Sequence, residues 1–261
     1  MNLTDDITLK CMKGSPILLD DICAIYPPNM GEIIDLGYET FLQYVSIMTF
    51  TKPVSEAGAA SEFSKITENM SNFNYFLLMV NLDADANKRA HDAFYFFTHE
   101  DVIFSFDPPQ IIIGPIDEKH IIDEDAYVNL QTVIKRACFM NIGEKEIIFN
   151  DNDNERVKAL KKQFLKNRER VAQAKKRKQQ RTESELSFSD LIGSVCVGDC
   201  GLNMENVWNI TYYAFQDQLR RMGWRDQFNI NNRAAMAGAK LKKSQLQHWI
   251  KSISSEDKAE K

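Results

Sequence analysis

Between Glu155 and Arg181 the chain reads ERVKALKKQFLKNRERVAQAKKRKQQR, with no Gly and no Pro. Twelve of these residues are Lys or Arg and two are Glu, a net charge of +10. Nearly every position is a strong helix former. The large apolar residues are few, chiefly Val157, Leu160, Phe164 and Val171, and most fall on one narrow stripe at helical spacing. A run this polar cannot bury itself, so it predicts a solvated linker helix between two packed units. Lys161, Lys162, Arg168, Lys175, Lys176, Arg177 and Lys178 are its characteristic cations. The charge on either side supports the division: residues 1–154 carry a net −15 and residues 182–261 a net of zero. The expected organisation is an acidic α+β domain over 1–154, a basic helical linker over 155–185, a small helical domain over 186–253 and a disordered tail over 254–261.

The remaining bulk properties exclude several classes. A hydrophobic content of 44% with 26% charged residues is that of a globular protein. No apolar run reaches the length that crosses a bilayer, and Met1–Lys10 lacks the basic-then-apolar pattern of a signal peptide, so the expectation is a soluble cytoplasmic chain with no membrane partner. Five scattered cysteines suit reduced thiols.

In the N-terminal unit, residues 7–11 and 17–19 read as short strands around Gly14-Ser15-Pro16. A helix is expected from Met30 to Thr49, with Asn29 as cap and Glu32 three residues on. Residues 50–61 read as a polar loop, with helices over 60–70 and 73–82 after it. Strands are expected over 102–106, 110–113 and 120–122, then a helix over 124–140 capped by Asp123. His91, His99 and His120 are not at ligand spacing, and Asp123, Glu124 and Asp125 fit a helix start better than a cation site. No metal, cofactor or catalytic set can be assembled, so the chain reads as a non-enzyme.

In the C-terminal unit, Ser187 or Ser189 caps a short helix, and Cys196 and Cys200 follow as structural cysteines. A helix is expected from Asn203 to Gly223, stopped by the glycine, and a second over 232–241. The first shows a broad apolar face. Trp208, Tyr212, Phe215, Leu219 and Met222, with Trp249 farther on, are the candidate partner-binding residues, because so few helices cannot cover every apolar face from within. The basic run offers no aromatic residue but Phe164 for stacking on bases, which argues against nucleic acid as the partner.

The segment NVWNITYYAFQDQLRRMGWRDQFNINNRAAMAGAKLKKSQLQHWIKSI resembles the C-terminal part of tail assembly chaperones of long-tailed bacteriophages, through Trp208–Phe215, the AMAGAK turn at Ala235–Lys240 and the HWIK segment at His248–Lys251. YPPNMGEIIDLGYETFLQYVSIM is similar to the opening of companion proteins encoded beside the tape measure gene. The resemblance implies a non-enzymatic assembly factor of the host cytoplasm, absent from the mature virion. Its implied partners are the tape measure protein, kept soluble, and the tail tube protein, helped to polymerise around it. Two other classes stay open: a structural or scaffolding protein of the virion, self-associating through the same helices, and a nucleic-acid-binding regulator acting through 155–181.

Overall fold

The structure is a computed structural model that describes residues 5–52, 67, 70–115, 117, 119–140, 156, 163, 186–198, 201–246 and 248–250. The class is α+β, as the sequence predicts: among the described residues helices dominate, with one two-stranded and one three-stranded antiparallel sheet. The linker cations, Cys200, the 254–261 tail and almost all of the expected 60–70 helix lie outside the described residues.

Two compact units form. One comprises residues 1–142 and 204–221; the other comprises 143–203 and 222–261. The expected 186–253 domain is thereby corrected, because its central aromatic segment packs with the N-terminal residues.

The first unit opens with helix α1, Asp5–Lys13, where a strand is expected. Ile7 and Cys11 are buried and Leu9 is exposed. A strand would have turned all three to one side, whereas i and i+4 share a helical face. Acidic Asp5 and Asp6 in the first turn, with Lys10 and Lys13 in the last, complement the helix dipole. Strands β1 (Ile17–Leu19) and β2 (Cys23–Ile25) then pair antiparallel, Ile17 opposite Ile25.

The helix expected over 30–49 is two: α2, Met30–Leu36, and α3, Tyr38–Met48. Gly37 separates them at φ 93°, ψ 127°, a conformation closed to residues with a Cβ. The Asn29 amide donates to the Glu32 carboxylate at 2.9 Å, one half of the expected capping box.

Helices α4 (Asn72–Leu82) and α5 (Ala84–Thr98) follow, capped by Ser71 and Asp83. Strands β3 (Val102–Ser105), β4 (Gln110–Ile113) and β5 (His120–Ile122) make the second sheet, and α6 (Glu124–Ala137) starts at Asp123, whose carboxylate accepts from the Ala126 amide at 2.9 Å. The core lies where these meet. Phe76 contacts Phe104 and Tyr127 at ring separations of 5.9 and 5.4 Å, and Phe94 meets Phe104 at 5.5 Å.

In the second unit, α7 (Phe188–Val197) is capped by Ser187, whose hydroxyl accepts from the Asp190 amide at 3.2 Å. Helix α8 runs from Tyr212 to Met236, through Gly223 without a break. An exposed mid-helix glycine costs only about 1 kcal/mol, which propagation of a long helix absorbs. The stop comes at Gly238, φ 90°, where its amide reaches the Ala235 carbonyl and the Ala239 amide reaches the Ala234 carbonyl, each at 3.0 Å. That pair of bonds is a Schellman termination.

Candidate functional site

The segment 204–221 joins the first unit through backbone. Asn29 and Thr211 form an antiparallel bridge. The Met30 amide donates to the Ile210 carbonyl at 2.9 Å, and the Tyr212 amide donates to the Pro28 carbonyl at 2.8 Å. Pro27-Pro28 holds its own chain extended, and Pro28 leaves its carbonyl free to accept. Thr211 is the anchor. It is 2% exposed, its Oγ1 accepts from the Ala214 amide at 3.1 Å as an N-cap does, and the same hydroxyl donates to the Met12 carbonyl at 3.3 Å.

Helix α8 therefore begins inside the first unit, and its opening turns are sealed. Phe215 is wholly buried and Tyr212 is 8% exposed, its ring meeting Phe41 edge-on at 5.1 Å. Burial raises the Tyr212 phenol well above its ordinary value. Tyr212 and Phe215 are thus core residues of their own subunit, a correction to their expected role as open partner contacts. The physical reason is that α8 finds its missing cover in the N-terminal unit, as far back in the chain as Pro28 and Phe41, rather than among its sequence neighbours.

On a neighbouring flank of the same turns the environment changes. Tyr213 meets Phe139 edge-on at 5.0 Å, the Arg136 guanidinium stands 5.5 Å from the Tyr213 ring, and Arg220 stands 5.1 Å from the Phe139 ring. Arg136 is fixed in turn by the Thr8 hydroxyl at 2.7 Å. Asp217 is buried and accepts from Arg221 Nε at 2.8 Å. Tyr213 Oη and Asp217 Oδ1 are buried with no hydrogen-bond partner among the described residues. Beside this polar line Phe139, Gln216, Leu219 and Arg220 line an open cleft of about 480 Å³. Its size lies within the range of ligand clefts, and its lining combines an aromatic ring, an aliphatic side chain, an amide and a guanidinium.

The other candidates divide. Trp208 is half-buried in the first unit, where its indole N–H donates to the Met204 carbonyl at 2.7 Å. Leu219 is half-buried at the cleft. Met222 and Trp249 belong to the second unit: Met222 Sδ lies against Gly198, only 2.8 Å from where a Cβ would sit, and Trp249 stacks on His248 with ring centroids 5.8 Å apart. Sequence reasoning missed Phe139, Gln216 and Arg220. Phe139 stands just past the end of α6, and nothing local in the sequence ties it to a helix some eighty residues later.

Among the described residues no group of three His, Cys, Asp or Glu side chains could hold a metal ion. No helix among them is long and apolar enough to cross a membrane. No curated protein and no solved structure matches the chain. Residues 175–254 match a family model described as the YomV second domain, a phage-associated family name, so this chain is similar to that family over the cleft-forming turns of α8, the Ala235–Lys240 turn and the HWIK segment.

Proposed function

We propose that this chain is a non-enzymatic tail assembly chaperone of a long-tailed phage, binding the tape measure protein and assisting tail tube polymerisation. The observation that carries the reading is the cleft of Phe139, Gln216, Leu219 and Arg220, which begins where the sealed aromatic face of α8 ends. An amphipathic helix presents apolar knobs at one-turn spacing, and a partly apolar cleft on a helix flank is the kind of surface that accepts them. Support also comes from the AMAGAK and HWIK segments and from the phage-associated family matched over 175–254. The second unit leaves further apolar surface open, with Met236 89% exposed and Ile250 exposed.

Co-expression with the tape measure protein tests the proposal. The partner is expected to become soluble and to co-purify with the chain. If it stays insoluble with and without the chain, the reading fails. Mass spectrometry of purified virions separates an assembly factor, absent from them, from a structural subunit present in many copies.

A further inference from the structure

The register of the β3-β4-β5 sheet sets three isoleucines side by side. Ile103 lies opposite Ile112, and Ile112 lies opposite Ile121. All three point away from the core, because Val102, Phe104, Ile111, Ile113 and Ile122 on the other face are buried. Ile103 is 53% exposed, Ile121 is 54% exposed and Ile112 is half-buried. A solvated face of an antiparallel sheet ordinarily alternates to polar residues. Here it carries an unbroken apolar row about 10 Å across, two strand spacings, which matches the width of one helix.

The chain around that row is predominantly acidic. Asp101 precedes β3, Asp107 follows it, Asp117 lies between β4 and β5, and Asp123, Glu124 and Asp125 follow β5. All six are exposed, against the one exposed cation Lys119 among the described residues of 101–125. An apolar row inside a carboxylate rim repels a second copy of the same face and attracts a partner of opposite charge. We infer that the outward face of this sheet, centred on Ile103, Ile112 and Ile121, is a docking surface for a basic amphipathic helix of a partner protein. The surface is separate from the α8 cleft and does not depend on the function proposed for it.

A synthetic helix of about 18 residues, with Leu at i, i+3, i+4 and i+7 spacing and Lys elsewhere, is the probe, titrated against the full chain by calorimetry. The triple variant Ile103→Thr, Ile112→Thr, Ile121→Thr keeps the β-branch and the charge while removing apolar surface. Expected results are saturable binding by the wild type and a loss of more than tenfold in the triple variant. Should the triple variant lose its cooperative urea transition, Ile103→Thr/Ile121→Thr, which alters only exposed positions, is read instead with the same expectation. Equal affinity in the Thr variants, or equal affinity for a peptide with Glu in place of Lys, overturns the assignment. So does a wild-type dimer that the Thr variants abolish, since the occupant is then a second copy.

Discussion

Thr211 is the point at which the C-terminal segment is fixed to the N-terminal unit, and its two functions can be separated by substitution. Thr211→Val keeps the shape and the methyl that faces Gly14, but removes the hydroxyl that caps Ala214 and reaches Met12. The lost cap costs about 1 kcal/mol. The lost bond to the Met12 carbonyl, long at 3.3 Å, adds roughly 0.5–1 kcal/mol, for a total near ~2 kcal/mol. Thr211→Ser keeps the hydroxyl and deletes one buried methyl, a cost of about 1 kcal/mol. Thr211→Ala combines both losses, roughly 3 kcal/mol if the two add. Urea unfolding followed by near-ultraviolet circular dichroism reads the difference. With a slope of about 2 kcal/mol per molar urea, the midpoint falls by roughly 1 M for Val and half that for Ser. A Val variant within about 0.5 kcal/mol of wild type, the range of an ordinary surface change, refutes the claim that 204–221 is integral to the first unit.

Further outcomes follow from the same geometry. Gly223→Ala, in mid-helix with no atom within 4 Å of the new Cβ, is expected to stabilise by about 0.5–1 kcal/mol, whereas Gly238→Ala, at φ 90°, destabilises by about 1 kcal/mol or more; thermal unfolding of the two variants checks the opposite signs. Burial pushes the Cys11 thiol from 9.0 up to about 11, partly opposed by Arg136, and pushes Cys23 up to about 12, with Glu100 adding to the rise. Both folded-state values exceed the unfolded one, so the stabilisation is complete below pH 9 and is lost as pH climbs toward 11–12; urea midpoints measured across that window should fall, and less so in Cys11→Ala. Leu219→Glu places a carboxylate in the cleft and should weaken capture of the tape measure protein more than tenfold, with an unfolding midpoint near that of wild type, as binding assays on the purified pair would show.

What could be read from the residues was mostly local. Asp123 as a cap, the three strands of the second sheet, and Phe188 as the start of a short helix each rest on signals within a few positions, and each is present. Where two periods fit the same residues, the local signal misled: Ile7 and Cys11 suit a strand face or a helix face, and packing against α6 decided for the helix. Gly37 and Gly223 show the same limit. The first breaks a helix that apolar spacing runs straight through, and the second fails to break one, because a glycine's effect depends on the backbone angles the surroundings demand. The partner face was misjudged for a long-range reason. Counting helices within 186–253 left Tyr212 and Phe215 uncovered, but both are buried in the first unit, Tyr212 against Phe41 and bonded through its amide to Pro28, which no pattern in the C-terminal sequence announces.

Hydrogen–deuterium exchange of the chain, alone and with the tape measure protein bound, bears most directly on the idea that a partner helix seats beside α8. Slowed exchange upon binding at the amides around Phe139 and across Gln216–Arg220, with the already buried Tyr212–Phe215 turn unchanged, is the predicted footprint. A complex that forms with no protection in those two stretches would contradict it.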